Sequence, residues 1–551
     1  MIPLNPERKP DRNYWIFLAL SMIVLLAYPF FLKKAGRHAN PLPQEEISQS
    51  SAKSYAGRRL QSALTTPEGP FLERAAAPAI IPFENDLYEV KFSTLGASIV
   101  YLKYKGQNGK HRLPPTLFYE GETDASGLFG TRLSNEEVEL TEAQFKLYHR
   151  DAQDQSFTFI YEKPEEYRLV KQYKFPAEKP AIQINISVEN LSPREKHFPL
   201  EFFYGIDTQG QTPQSEPEAL VFEDKVRSEK LGRISKKGFQ VSGQIQWAGL
   251  LKKYFAVLVK PDWKIIAQQA YFKPPTLWSQ LKMEPLSLAP GEKAAKGFLI
   301  YAGPQQYETL RKFDVDFEHV LSRGFFGIFK IWFLIALKFL TQFTHNYGWA
   351  IILLTLALKG AFTPLTHMSY ESMRKMQALQ PKLKSLQERY KKDPTKLQHE
   401  MMQLYRRNHV NPMGGCLPML LQIPIFIAFY QVLNETVEIK GAPFIFWIQD
   451  LSEPDRLFHF PFMIPLIGQS FNLLPLLMLG SMVWQQKLTP QAGATPEQTK
   501  MMAFMPLIFG FLFYQMPSGL VLYWFINNML TILHQTFIKK MAVVLHHEDR
   551  E

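Results

Sequence analysis

The residue with the most chemistry in this chain is Lys359. It stands inside the nearly unbroken apolar run Tyr347 to Thr366, YGWAIILLTLALKGAFTPLT. The run is of membrane-spanning length, since about 20 apolar residues cross a bilayer. A full charge at the centre of such a helix costs about 2.5–3.5 kcal/mol on insertion scales, so a lysine kept there calls for a function. Thr355, four residues earlier, shares a helix face with it. One reading is that this face lines a wet cavity around which the chain is organised. The other is a lysine that snorkels to the cytoplasmic interface. Lys359 lies about seven residues from the expected end of the helix, about 10 Å at 1.5 Å per residue.

The other apolar runs supply polar groups at depth. Cys416 to Leu433 carries Pro418, Gln422 and Pro424, the run near Phe471 to Lys487 carries Pro475, that near Met501 to Met516 carries Pro506, and Ser518 to Phe537 carries Asn527 and Asn528. Polar side chains in membrane helices face the bundle interior or water. Some serve only as interhelical hydrogen bonds, worth about 0.6 kcal/mol on average. No phosphate-binding glycine loop, metal-ligand cluster or nucleophile elbow is recognisable, so the sequence predicts neither an enzyme nor a resident cofactor or metal. Work on a substrate would draw on that substrate's own partition free energy, on the membrane potential, or on a partner.

These runs belong to a mosaic of 551 residues with a formal charge of +11. A polar region extends to about residue 320, followed by a very apolar one to about residue 540. The excess of base fits cytoplasmic segments of a membrane protein. The single cysteine, Cys416, excludes an intrachain disulfide. Residues 14–32 are long enough to span a bilayer, and the lysines that follow replace the small residues of a cleavage site. A cleaved signal peptide is the competing reading, and residues 1–35 read better as an uncleaved signal anchor. Residues 36–82 read as a linker rich in Ala, Ser, Gln, Pro and Arg.

From 83 to 320 the pattern is of strands. Ile182, Ile184, Ile186 and Val188 alternate with polar residues, Ser156 to Tyr161 behaves similarly, and turns such as Pro290-Gly291 recur. This predicts a β-sandwich. His149 and His197 are isolated and read as structural, and the sequons at Asn185 and Asn190 as chance matches. Residues 324–345 carry Lys330 and Lys338, with Lys338, Thr341, Gln342 and His345 on one face, as for a helix in the membrane interface.

Residues 368–411 read as a helical hairpin. Met376, Leu379, Leu383, Leu386 and Tyr390, then Leu397, Met401 and Leu404, follow 3-4 spacing on either side of Lys391-Lys392-Asp393-Pro394. The hairpin is basic, through Arg374, Lys375, Lys382, Lys384, Arg389, Lys391 and Lys392 among others. That charge places it in the cytoplasm and suits ribosomal RNA or anionic lipid, or simply sets topology. Spans at 347–366, 416–433, 471–487, 501–516 and 518–537 give a membrane core of five helices. The acidic loop 434–470 falls outside and the tail 538–551 inside. With the anchor there are six spans and both termini are cytoplasmic.

At this level the C-terminal half resembles the YidC membrane-protein insertases of bacteria. The resemblance rests on KGAFTPLT (359–366), MRKMQALQPKLKSLQERY (373–390), NPMGGCLPMLLQIPIFIAFYQVL (411–433), APFIFWIQDLS (442–452) and FMPLIFGFLFYQMPSGLVLYWFINNMLTILHQ (504–535), in family order. WAGLLKKYFAV (247–257) and LAPGEKAAKGFLIYAGP (288–304) resemble the periplasmic β-supersandwich of the Gram-negative members. The resemblance implies a multi-domain inner-membrane protein: a periplasmic β-supersandwich, an N-terminal anchor helix and an α-helical core of five spans. It implies an insertase and chaperone with a groove open to lipid and cytoplasm, lined by Lys359, Thr355, Gln422, Tyr523, Trp524 and Asn528. The implied partners are nascent membrane proteins, the ribosome and signal recognition pathway through the basic hairpin, the Sec translocon with its accessory subunits, and the lipid bilayer. Most family members carry arginine where this chain has Lys359, and often a second tyrosine where it has Trp524. Arginine stays protonated almost anywhere, whereas a buried lysine can lose its proton.

Two other classes compete. A small-molecule transporter could use Lys359 as a binding charge, but internal repeats are lacking. An anchored periplasmic enzyme or carbohydrate binder would need an acid–base pair that the β region does not present.

Overall fold

The computed structural model describes residues 78–106, 116–121, 127–134, 140–209, 216–323, 327–390, 393–410, 417–464, 468–489 and 496–548. The anchor expected in 1–35, most of the linker, Lys391, Lys392 and Cys416 lie outside the described residues.

The strand region begins at Ile80 and folds as antiparallel sheets of four, five and nine strands. The nine-stranded sheet runs from Val226–Lys230 at one edge to Lys146–Asp151 at the other. Its central strand Ala181–Asn190 buries Ile182, Ile184, Ile186 and Val188, the face that its alternation marks. One apolar core joins that face to Tyr88, Val90 and Phe92 of the four-stranded sheet and to Phe202, Tyr204 and Ile206 of the five-stranded sheet. Asn190 is fully buried, its amide donating to the carbonyls of Arg194 and Leu288. His197 Nδ1 lies 2.7 Å from Ser287 Oγ. Two short helices, α1 (Leu231–Lys237) and α2 (Tyr307–Arg311), accompany the sheets.

Helix α3 (Gly327–Thr344) opens the apolar region. Ile328, Trp332, Phe339 and Phe343 on it are exposed, while Phe333, Leu334 and Leu337 are buried. Its lysines are not left to lipid. Lys330 lies 2.6 Å from Glu435, and Lys338 lies 2.8 Å from Glu438 and 3.4 Å from Glu308. Arg323 joins the first cluster, 3.1 Å from Glu435 and 3.6 Å from Glu218 of the nine-stranded sheet.

Helix α4 (Tyr347–Ala378) contains Lys359 and runs on past the apolar stretch. The next pieces are α5 (Gln380–Arg389) and α6 (Pro394–Arg407). Pro381, near the start of α5, cannot continue the ladder from α4, and the break falls at Leu379. Met376, Leu379, Leu383, Tyr405 and Val410 form a small separate core, with Met401 and Leu404 against it. Leu386, Tyr390 and Leu397 keep the same spacing without joining that core.

The remaining helices are α7 (Leu417–Glu435), α8 (Leu473–Leu488), α9 (Pro496–Phe513) and α10 (Ser518–Glu548). Helix α9 stops at Phe513, ahead of the Met516-Pro517 turn, and α10 continues through most of the expected tail. Between α7 and α8 the chain forms a two-stranded hairpin, Phe458–Ile464 with Gly468–Phe471. The helices share an apolar core of α3, α4, α7, α8, α9 and α10 residues. Gly348 permits one of its close approaches, because a Cβ there would run into the Phe444 ring.

Candidate substrate groove

Packing along α4 changes abruptly in its middle. Tyr347, Ala350, Ile351, Leu354 and Thr355 are buried. Leu356, Ala357, Gly360 and Ala361 are exposed, and Lys359 is half-buried between them. Helix α7 runs the other way, and its buried residues Ile425, Ala428, Phe429, Val432 and Leu433 lie toward its end beside Glu435. The end of the bundle nearest the β-sheets is therefore the tightly packed one, and Lys359 stands just past it.

The Lys359 ammonium turns toward α10. It donates to Thr531 Oγ1 at 2.6 Å and to Asn527 Oδ1 at 3.4 Å. Asn527 and Thr531 are four residues apart, hence on one face, and Thr531 in turn donates to the Asn527 carbonyl. Further along the same two helices the rings of His367 and His534 face each other at 6.3 Å. Among the described residues no carboxylate partners Lys359; its contacts are an amide and a hydroxyl.

The other residues singled out from the sequence separate into three places. Thr355 is 2% exposed, and its hydroxyl donates to the Ile351 carbonyl of its own helix at 2.7 Å. It packs with the buried residues Ile351 and Leu354 of the same helix and makes no hydrogen bond with Lys359. The Gln422 amide donates to the Tyr523 hydroxyl, and the Tyr523 ring lies 4.8 Å from Phe429. Trp524 sits among Phe426, Phe509 and Phe513 at 5.2–5.8 Å. Asn528 is turned away from Lys359: it is buried and donates to Ser481 Oγ of α8 at 3.0 Å. The residues that meet Lys359 are thus Asn527 and Thr531, one position before Asn528 and three positions after it. Trp524, Asn527, Thr531 and His534 recur at i, i+3, i+7 and i+10, and that stripe is visible in the sequence. On the hairpin, Arg374, Lys375, Lys382, Lys384 and Arg389 are all exposed, with Lys375 2.8 Å from Glu371.

Comparison with known proteins places the chain in a family. Residues 339–545 match the family described as 60Kd inner membrane protein, and residues 80–336 match the YidC periplasmic domain. The membrane protein insertase YidC of Geotalea uraniireducens (strain Rf4) is 32% identical over 551 residues, covering 96% of this chain and 99% of that protein. That of Pelobacter propionicus is 32% identical over 542 residues, covering 95% and 98%. A crystal structure described as an active YidC insertase with the first transmembrane domain resolved covers 84% of this chain and 92% of its own, at 18% identity and a TM-score of 0.36. The β-rich part is accordingly the periplasmic domain, the helical part lies in the inner membrane, and the chain belongs to the YidC family of membrane protein insertases.

Proposed function

We propose that this protein inserts membrane proteins into the inner membrane through a hydrophilic groove between α4 and α10, and helps them fold there. The observation that carries this is Lys359: a lysine in a membrane helix, just past the closed periplasmic part of the bundle, held by dipoles and not by a carboxylate. Such a charge is available to an acidic group on an incoming chain. The groove opens toward lipid and cytoplasm, so a substrate's short polar tail crosses part of the bilayer in a wet environment. That lowers the desolvation cost of its polar groups.

No nucleotide is required. A substrate helix of about 20 apolar residues gains about 0.3–0.6 kcal/mol for each strongly apolar residue near its centre. Each acidic residue carried outward gains about 2.3 kcal/mol per 100 mV of inside-negative potential. The protein lowers the barrier to a transfer that is already downhill. Trp524, half-buried beside Gln422 and the buried Tyr523, offers the aromatic surface against which the substrate helix packs. The basic hairpin receives nascent chains from the ribosome and signal recognition pathway, and the protein acts alone or beside the Sec translocon. The core has five spans plus the N-terminal anchor, with both termini in the cytoplasm.

The test is depletion followed by rescue, reading insertion of a single-span substrate with an acidic outer tail. Wild type and Lys359→Arg restore insertion, and Lys359→Glu does not. Rescue by Lys359→Glu would remove the proposed role of the charge.

A further inference from the structure

The hairpin between α7 and α8 has no place in that mechanism, and its surface is unusual. Phe458, Phe460 and Phe462 alternate along one strand and so point to one face. With Phe471 of the second strand they form a ladder of rings. Phe458 stacks on Phe471 at 4.8 Å, and Phe460 follows at 5.1 Å from Phe458 and 5.7 Å from Phe462. No sheet or helix covers this ladder: Phe458 is 46% exposed and Phe462 59%, and Met463 beside them is 73% exposed. A lone two-stranded hairpin is marginal in water, and an apolar one more so.

Its base, by contrast, is firmly held. Asp455 Oδ2 accepts from the Trp447 indole at 2.9 Å and from the Leu474 amide at 2.7 Å. Asn472 donates to the Tyr514 carbonyl at 2.6 Å, and the Tyr514 hydroxyl donates to the Ser470 carbonyl at 3.0 Å. A stiff base thus presents an uncovered apolar blade.

We infer that the hairpin, with Phe458, Phe460 and Phe462 on one face and Met463 on the other, is a bilayer-insertion element that sits in the periplasmic leaflet beside α8. Three observations favour lipid as the occupant. The hairpin leads through Asn472 directly into α8, whose early residues Leu476 and Leu477 are also exposed, so the apolar surface is continuous with the membrane-facing side of the bundle. Phe446 and Trp349 are exposed in the neighbouring segments, and aromatic side chains gather at the bilayer interface. The ladder offers no polar group to fix the register of a protein partner, as specific interfaces do, and Pro461 has no N–H with which to extend the sheet to another strand.

The experiment uses the full chain in lipid vesicles with its single cysteine removed by Cys416→Ser. An environment-sensitive fluorophore is attached at Phe462→Cys and, in a separate sample, at Met463→Cys. Phe504→Cys, on the exposed face of α9, serves as the lipid reference, and Glu178→Cys in the periplasmic domain as the aqueous one. With no substrate present, the inference predicts blue-shifted emission and quenching by doxyl-labelled lipid at both hairpin sites, matching the lipid reference. Emission and quenching like those of the aqueous reference at both sites would overturn it. So would shielding that arises only when a substrate polypeptide is added, because the blade would then be a protein-binding surface.

Discussion

Replacing Lys359 with methionine isolates the charge while keeping an unbranched chain of similar length. Thr531 keeps its bond to the Asn527 carbonyl, and the ammonium site is only half-buried, so the local structural cost is modest, about 2 kcal/mol for the two lost hydrogen bonds. The functional cost depends on the groove's dielectric. A substrate carboxylate about 4 Å from the ammonium gains about 1 kcal/mol in water and about 4 kcal/mol at an effective dielectric constant near 20. Converted at about 1.4 kcal/mol per tenfold, loss of that attraction slows insertion by about 5-fold to about 1,000-fold. The assay follows protease protection of the translocated tail in vesicles at a fixed imposed potential, for two substrates that differ only by aspartate or asparagine in the tail. At fixed potential the electrical gain of the acidic tail is the same with either protein, so Lys359 alone sets the change in the ratio of the two rates. Lys359→Met should slow the acidic-tailed substrate and leave the neutral one nearly unaffected. Equal slowing of both would show that residue 359 shapes the groove and does not attract charge, and the reasoning would fail.

Two further expectations concern ionisable groups outside the groove. Glu435→Gln leaves Lys330, which is 2% exposed, without its nearest counter-charge and strips Arg323 of one of its two acids, so it should destabilise the full chain in detergent by about 3–5 kcal/mol; adding Lys330→Met should recover most of this in thermal unfolding, and a cost under about 1 kcal/mol for the single change would contradict the assignment. In the periplasmic domain Lys171 is fully buried, donates to the Phe129 and Gly96 carbonyls, and is pushed by burial down to about 7. Its free-chain value is about 10.4, so between these limits the unfolded chain binds more protons than the folded one, and stability rises with pH by at most about 1.4 kcal/mol per unit. The cost of charging Lys171 is full below pH 7, and melts of the domain at pH 7 and pH 9 should separate for the wild type and converge for Lys171→Met; wild-type stability that is flat or falls over this range would refute it.

What the sequence discloses follows from how far apart the interacting residues lie. The alternation of Ile182 to Val188 needs no knowledge of its neighbours, because any half-buried strand shows it. Membrane-length runs are equally self-evident. The choice between Asn527 and Asn528 is not: adjacent residues on a helix point about 100° apart, and only packing decides which one meets Lys359. The stripe Trp524, Asn527, Thr531 and His534 was the available signal. The hairpin at 458–471 was illegible because both its faces are largely apolar and Pro461 interrupts it, which hides the period of two. Lys330 and Lys338 read as an interfacial face because their acids, Glu435 and Glu438, are about a hundred residues distant in the chain.

The three lysines in the apolar stretches of helices α3 and α4 make the physical distinction clear. Lys330 and Lys338 each sit against carboxylates, and through Arg323 and Glu218 the first of these clusters reaches the nine-stranded sheet. A buried charge whose counter-ion is built into the fold is spent on structure, since the field it could offer a third group is already cancelled. Lys359 has no such partner among the described residues. The Asn527 side-chain amide oxygen and the Thr531 hydroxyl stabilise the ammonium while leaving its net charge intact. Dipoles fall off faster with distance than a charge does, so a few ångströms away the ammonium still presents close to a full positive charge. Retaining that charge uncompensated in a membrane helix is unfavourable for folding, which is why its position, and not its mere presence, is the strongest reason to assign it to the substrate.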